Sequence, residues 1–99
     1  MNERRLVRVN EAFFRRLDEL LPPQRSAAGA PSATDFVLHD MPRIIDLLAD
    51  DFEAATLPVD DEPRVRMLIA SGSLVPFVVV YVTLAPDDAV DGLSLELEL

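Results

Sequence analysis

Apolar residues recur along this chain in two rhythms, and the change of rhythm divides it into a helical first half and a stranded second half. Residues 4–10 alternate imperfectly, with Val7 and Val9 on one side and Leu6 on the other. The pattern suits a short strand or the start of a helix, and Asn10, a favourable N-cap, favours the strand. From Glu11 the apolar positions Phe13, Phe14, Leu17, Leu20 and Leu21 draw one helical stripe, which Pro22 and Pro23 end. Residues 24–31 read as a loop of small residues with Gly29 and Pro31. Ser32 and Asp35 then have the spacing of a capping box for a second helix. Its stripe runs through Val37, Met41, Ile44, Ile45, Leu48 and Phe52. Pro42 lies inside it, so a kink or restart is expected near Asp40.

The period changes after a loop expected over residues 56–63, which holds Pro58, Asp60, Asp61 and Pro63. Residues 65–70 form the first strand run, and Ser71-Gly72-Ser73 a turn. Residues 74–84 form the second run, centred on Val78, Val79 and Val80. An almost continuous apolar run predicts a central strand buried on both faces, with Pro76 near its start, where losing a ladder donor is tolerable. Pro86-Asp87-Asp88 opens another turn, which Gly92 closes. Residues 93–99 alternate, with Leu93, Leu95, Leu97 and Leu99 on one face and Ser94, Glu96 and Glu98 on the other. The predicted order is β-α-α-β-β-β in a single domain over residues 1–99. This is an α+β fold with two helices packed on one face of a small, mainly antiparallel sheet.

Charge changes the picture next. The chain has 99 residues, a net charge of −9 and no lysine, so all nine basic residues are arginines. Six of them lie within residues 1–25 against four acids, whereas residues 26–99 hold Arg43, Arg64 and Arg66 against fourteen acids. The first segment is therefore expected either to lie against the acidic remainder or to form a positive face of its own. Asp50, Asp51 and Glu53 crowd the end of the second helix, where the macrodipole disfavours acids, so a basic neighbour is expected there. The negative field opposes contact with phosphate backbones and anionic lipid, and no nucleic-acid or membrane partner is expected. With no cysteine, the chain has neither disulfides nor a thiolate zinc site. That, and the absence of a secretory signal, fits a cytoplasmic protein.

Candidate chemistry is sparse. The single histidine, His39, has Asp35 and Arg43 on its helical face, which is a poor metal set, and no metal or cofactor is expected. Three glycines, widely scattered, make no phosphate loop. What remains is Arg64 and Arg66, two apart at a strand start and so on one face, together with Tyr81, the only tyrosine. An arginine pair and a phenol are suited to gripping a phosphate and assisting proton transfer. The same residues equally suit a structural role, with the arginines on nearby acids and Tyr81 in the core.

The run R-L-V-R-V-N leading into E-A-F-F-R-R-L-D-E-L-L-P, then V-R-M-L-I-A, G-S-L-V-P-F-V-V-V-Y-V and the closing L-S-L-E-L-E-L, resembles the RelE/ParE superfamily of bacterial type II toxin–antitoxin toxins. Those proteins are similarly small, with a strand, a helical pair and a C-terminal meander. The resemblance places Arg64 or Arg66 where the family has an arginine entering its second strand, and Tyr81 where it has a tyrosine ending its third. The chain departs from the pattern at Val78, where many members carry arginine, and at its acidic Glu96-Leu97-Glu98-Leu99 end. The resemblance thus implies a toxin-fold protein that acts mainly by protein–protein contact, on an antitoxin or a target, and is catalytically silent. Two alternatives stand beside it. One is a ribosome-dependent mRNA-cleaving toxin using Arg64, Arg66 and Tyr81. The other is a small dimeric interaction domain unrelated to toxins.

Overall fold

In the computed structural model, which describes residues 4–23, 31–72 and 75–98, local signals set most element boundaries. Strand β1 (Val7–Val9) ends at Asn10, whose side chain accepts the Phe13 N–H and so caps α1 (Glu11–Leu20). Ser32 and Asp35 close a reciprocal capping box on α2 (Ala33–His39). The helix then breaks at Asp40 and restarts as α3 (Met41–Asp50), with Pro42 in its first turn, where a missing N–H costs nothing. A second break at Asp51 leaves the single turn α4 (Phe52–Ala55). The expected second helix is therefore three segments, and each break turns a fresh apolar residue inward. The expected loop over residues 24–31, the turn at Ser73, the strand start at Leu74 and the position of Leu99 lie wholly or partly outside the described residues.

Two corrections concern the sheet. Residues 56–63, expected as a loop, form strand β2 (Thr56–Val59), a tight turn at Asp60-Asp61 and the start of β3 (Glu62–Ala70). Asp61 takes a left-handed φ of 68°, which aspartate tolerates better than most residues. Pro58 fits because β2 is an edge strand. The meander continues through β4 (Phe77–Leu84) and β5 (Val90–Glu98), giving a five-stranded sheet in the order β1-β5-β4-β3-β2. Only β1 is parallel to its neighbour, pairing Val7 with Val90 and Val9 with Gly92. The second correction is in β5. Tyr81 pairs with Ser94 and Val82 with Gly92, so Leu93 is an extra, bulged residue and the leucine alternation is broken there. Leu95, opposite Val80, is fully buried, and Leu97, opposite Val78, is half-buried.

One core lies between the helices and one sheet face. Phe13 and Leu17 of α1, Phe36 of α2, Ile44 and Leu48 of α3 and Phe52 of α4 pack on Leu68, Val78, Val80, Val82, Val90 and Leu95. Gly72, in the β3–β4 connection, donates its N–H to the Val75 carbonyl at 2.8 Å. A Cβ there would sit 2.5 Å from that carbonyl oxygen and 2.7 Å from the buried Asp40 carboxylate, so the turn closes only with glycine. Asp40 in turn accepts the Val75 N–H, tying the helix break to the start of β4.

The basic N-terminal segment lies against the acidic remainder. Arg4 pairs with Asp46 at 2.6 Å and with Asp50 at 2.7 Å, and Arg5 pairs with Glu53 at 2.8 Å. These supply the basic neighbours expected for the acids near the end of α3. Arg8 on β1 reaches Asp91 at 2.7 Å and Asp87 at 3.2 Å. Arg16 pairs with Glu96 at 2.7 Å and donates to the Leu95 carbonyl, at a part of β5 that β1 does not cover. The hydrogen bonds that Arg4 donates to Asp46, Arg8 to Asp91 and Arg16 to Glu96 hold all three guanidinium groups above their ordinary pKa. Exposed pairs of this kind each stabilise little. Their number orients β1 and α1 more than it stabilises them.

Candidate functional site

Strand pleating decides which of the singled-out residues meet. Along β4, Val78, Val80 and Val82 point into the core, so Phe77, Val79, Tyr81 and Thr83 point the other way. In β3, Arg66 pairs with Val82 and Met67 with Tyr81. Arg66, and with it Arg64, therefore lies on the helix-covered face, while Tyr81 lies on the opposite one. The fold brings Arg64 and Arg66 together and separates both from Tyr81 by the thickness of the sheet.

Arg66 is held firmly. Its Nε donates to Thr56 Oγ1 at 2.6 Å and its Nη2 to the Thr56 carbonyl at 2.9 Å, and Thr56 Oγ1 donates to the Phe52 carbonyl. The guanidinium carbon stands 5.8 Å from the Phe52 ring centre, and that of Arg5 stands 5.6 Å from the same ring. Arg5 Nε is buried there without a hydrogen-bond partner. Arg64 is exposed, and its carbonyl accepts the Thr83 hydroxyl. Beside the two arginines opens a cleft of about 780 Å³, walled by Phe52, Pro63, Leu84 and Pro86, with Glu53 at its rim. Tyr81 is not among its walls.

Among the described residues, no helix covers the other face. The second run was expected to be buried on both sides, and here the expectation fails. Val79 and Tyr81 are only half-buried, and Phe77 is 40% exposed. Beside them lie Val65, Met67 and Ile69 of β3 and Leu57 of β2, in register with β4 through the Ile69–Val79 and Met67–Tyr81 pairs. Ile69 is 47% and Leu57 52% exposed. These side chains make a continuous apolar patch across three strands, bordered on β5 by Ser94, Glu96 and Glu98. Contiguous apolar surface on this scale marks a contact site more often than scattered exposed residues do. The run of valines carried the signal for this face. Leu57 gave none, because its strand read as a loop.

His39 ends α2 in an exposed position, and Asp35 on its helical face serves the capping box. Among the described residues no group of three or more His, Asp or Glu side chains is placed to hold a metal ion. No described helix is long and apolar enough to cross a membrane. No family model, no curated protein and no solved structure matches this chain.

Proposed function

We propose that this chain is a RelE/ParE-like domain that acts by protein–protein contact through the open face of its sheet and does not cleave RNA. The observation that carries the reading is the uncovered apolar patch of Leu57, Met67, Ile69, Phe77, Val79 and Tyr81 on an otherwise well-packed sheet. The separation of Tyr81 from Arg64 and Arg66 supports it, because a phenol and a guanidinium that share one phosphate must lie on one face. So does the net charge of −9, which repels an RNA backbone. The order strand, helices, meander supports the family resemblance.

The partner is a segment with an apolar stripe and a basic flank, laid over the sheet as an amphipathic helix. The apolar stripe meets β3 and β4, and the basic flank meets Glu98 on β5, since Glu96 already pairs with Arg16. Co-purification with the product of the adjacent reading frame tests this. The expected complex is lost in Ile69→Glu and retained in Arg15→Glu, which lies on an exposed face of α1. No complex, or one indifferent to Ile69→Glu, overturns the reading. A dimer in sedimentation that Ile69→Glu abolishes assigns the face to a second copy of the chain instead. Cuts in translated messages that vanish in Tyr81→Phe would restore the nuclease reading.

A further inference from the structure

We infer that the cleft beside Arg64 and Arg66 binds a small monocarboxylate with a flat apolar body. Phe52, Arg64, Arg66 and Leu84 of its lining lie on the helix side of the sheet, and no residue of the apolar patch from Leu57 to Tyr81 lines it, so the inference does not depend on what covers the open face.

The first ground is the distribution of charge. The chain has twice as many acidic as basic residues, and Arg4, Arg5, Arg8, Arg15 and Arg16 all have carboxylate partners. Arg64 and Arg66 have none among the described residues, although Asp60, Asp61 and Glu62 lie just before them in sequence. Arg43 also lacks one, but it is isolated from this cluster and donates to the Ser71 carbonyl. Two arginines that line one cleft, without an acid on either among the described residues, are available to an anion from outside.

The second ground is preorganisation. Thr56 fixes one edge of the Arg66 guanidinium through Nε and Nη2, and the Phe52 ring centre lies 5.8 Å from its carbon. The Nη1 donors have no partner among the described residues. A group held in this way loses little freedom when it binds a carboxylate through two N–H groups. Arg64, two residues along the same face, supplies a second cation.

The remaining walls select the rest of the ligand. Pro63, Leu84 and Pro86 offer apolar surface, and about 780 Å³ lies within the range of about 300–1,000 Å³ usual for small-molecule sites. Glu53 and Asp91 border the cleft, each on its own arginine. Together with the overall charge they disfavour a dianion or a phosphate chain, whose second charge would face them.

Titration of the ¹⁵N-labelled full chain with phenylacetate, phenylacetamide and phenyl phosphate tests the inference. Phenylacetate is expected to move the amide signals of Arg64, Arg66 and Leu84 saturably. Neutral phenylacetamide is expected to leave them unmoved, and phenyl phosphate to bind more weakly than phenylacetate. Arg64→Gln, an exposed position whose loss leaves the fold intact, should weaken phenylacetate by at least about fivefold. Arg66→Lys, which keeps the charge and loses the fork, should weaken it as well. Equal response to acid and amide, or an unchanged affinity in Arg64→Gln, overturns the site. Tighter binding of phenyl phosphate overturns the assignment to a monocarboxylate.

Discussion

The two faces of the sheet are built from adjacent residues of the same strands and have opposite fates. On β4, Val80 is 1% exposed under the helices, whereas Val79, its neighbour in sequence, sits half-buried on a face that nothing among the described residues covers. Hydrophobicity does not distinguish the two, since the covered row is Val and Leu and the open row is Val, Leu, Ile and Met with Phe77 and Tyr81. The distinction lies in what arrives from elsewhere in the chain. The four described helices dock on one side, and Arg4, Arg5, Arg8 and Arg16 pin the N-terminal segment to α3, α4, the β4–β5 connection and β5. An apolar row does not by itself show that it is core, because a contact surface reads the same way.

That contrast can be broken most forcefully at Val80. Val80→Asp should bury an unpaired carboxylate and cost about 3 kcal/mol or more, enough to unfold much of a small domain. Urea unfolding monitored by circular dichroism measures it, and a loss below about 1 kcal/mol would show that the covered face is not a packed core. Next in size is Gly72→Ala, which forces a methyl against the Val75 carbonyl and Asp40 and should cost about 1–3 kcal/mol by the same assay. Val79→Asp should cost about 1 kcal/mol or less in the free protein while abolishing partner binding, the converse of the Val80 result. If Val79→Asp unfolds the chain as Val80→Asp does, the two faces are not different and the contact surface is refuted. Tyr81→Phe should be the mildest on stability, within about 0.5 kcal/mol, with a small loss of partner affinity and no change in RNA.

Much of the helical half was legible because its signals are local. Asn10, the Ser32–Asp35 box and Pro42 act within one turn, and each falls where its chemistry requires. The sheet was less legible because pairing is decided across the chain. Residues 56–63 look like a loop, with two prolines and three acids, until β3 folds back beside β2 through the left-handed Asp61. The Leu93 bulge is invisible in an unbroken alternation, since only the register against Tyr81 and Val82 reveals it. Of the candidate site, the Arg64–Arg66 pair was legible from a spacing of two. Its distance from Tyr81 was not, because it follows from which β4 residue stands opposite which residue of β3.

The parallel pairing of β1 with β5 has a consequence in time. Arg8 and Asp91 lie 83 positions apart, and the surface on which Phe13 and Leu17 rest includes Val90 and Leu95. During synthesis the first helix is therefore complete long before its shelf exists, and its phenylalanines wait in water or against a chaperone until the last strand emerges. The hairpins of β2, β3 and β4 need only near neighbours and can form meanwhile. Pulsed hydrogen exchange should find β3 and β4 amides protected before those of β1. Protection of β1 first would contradict this order.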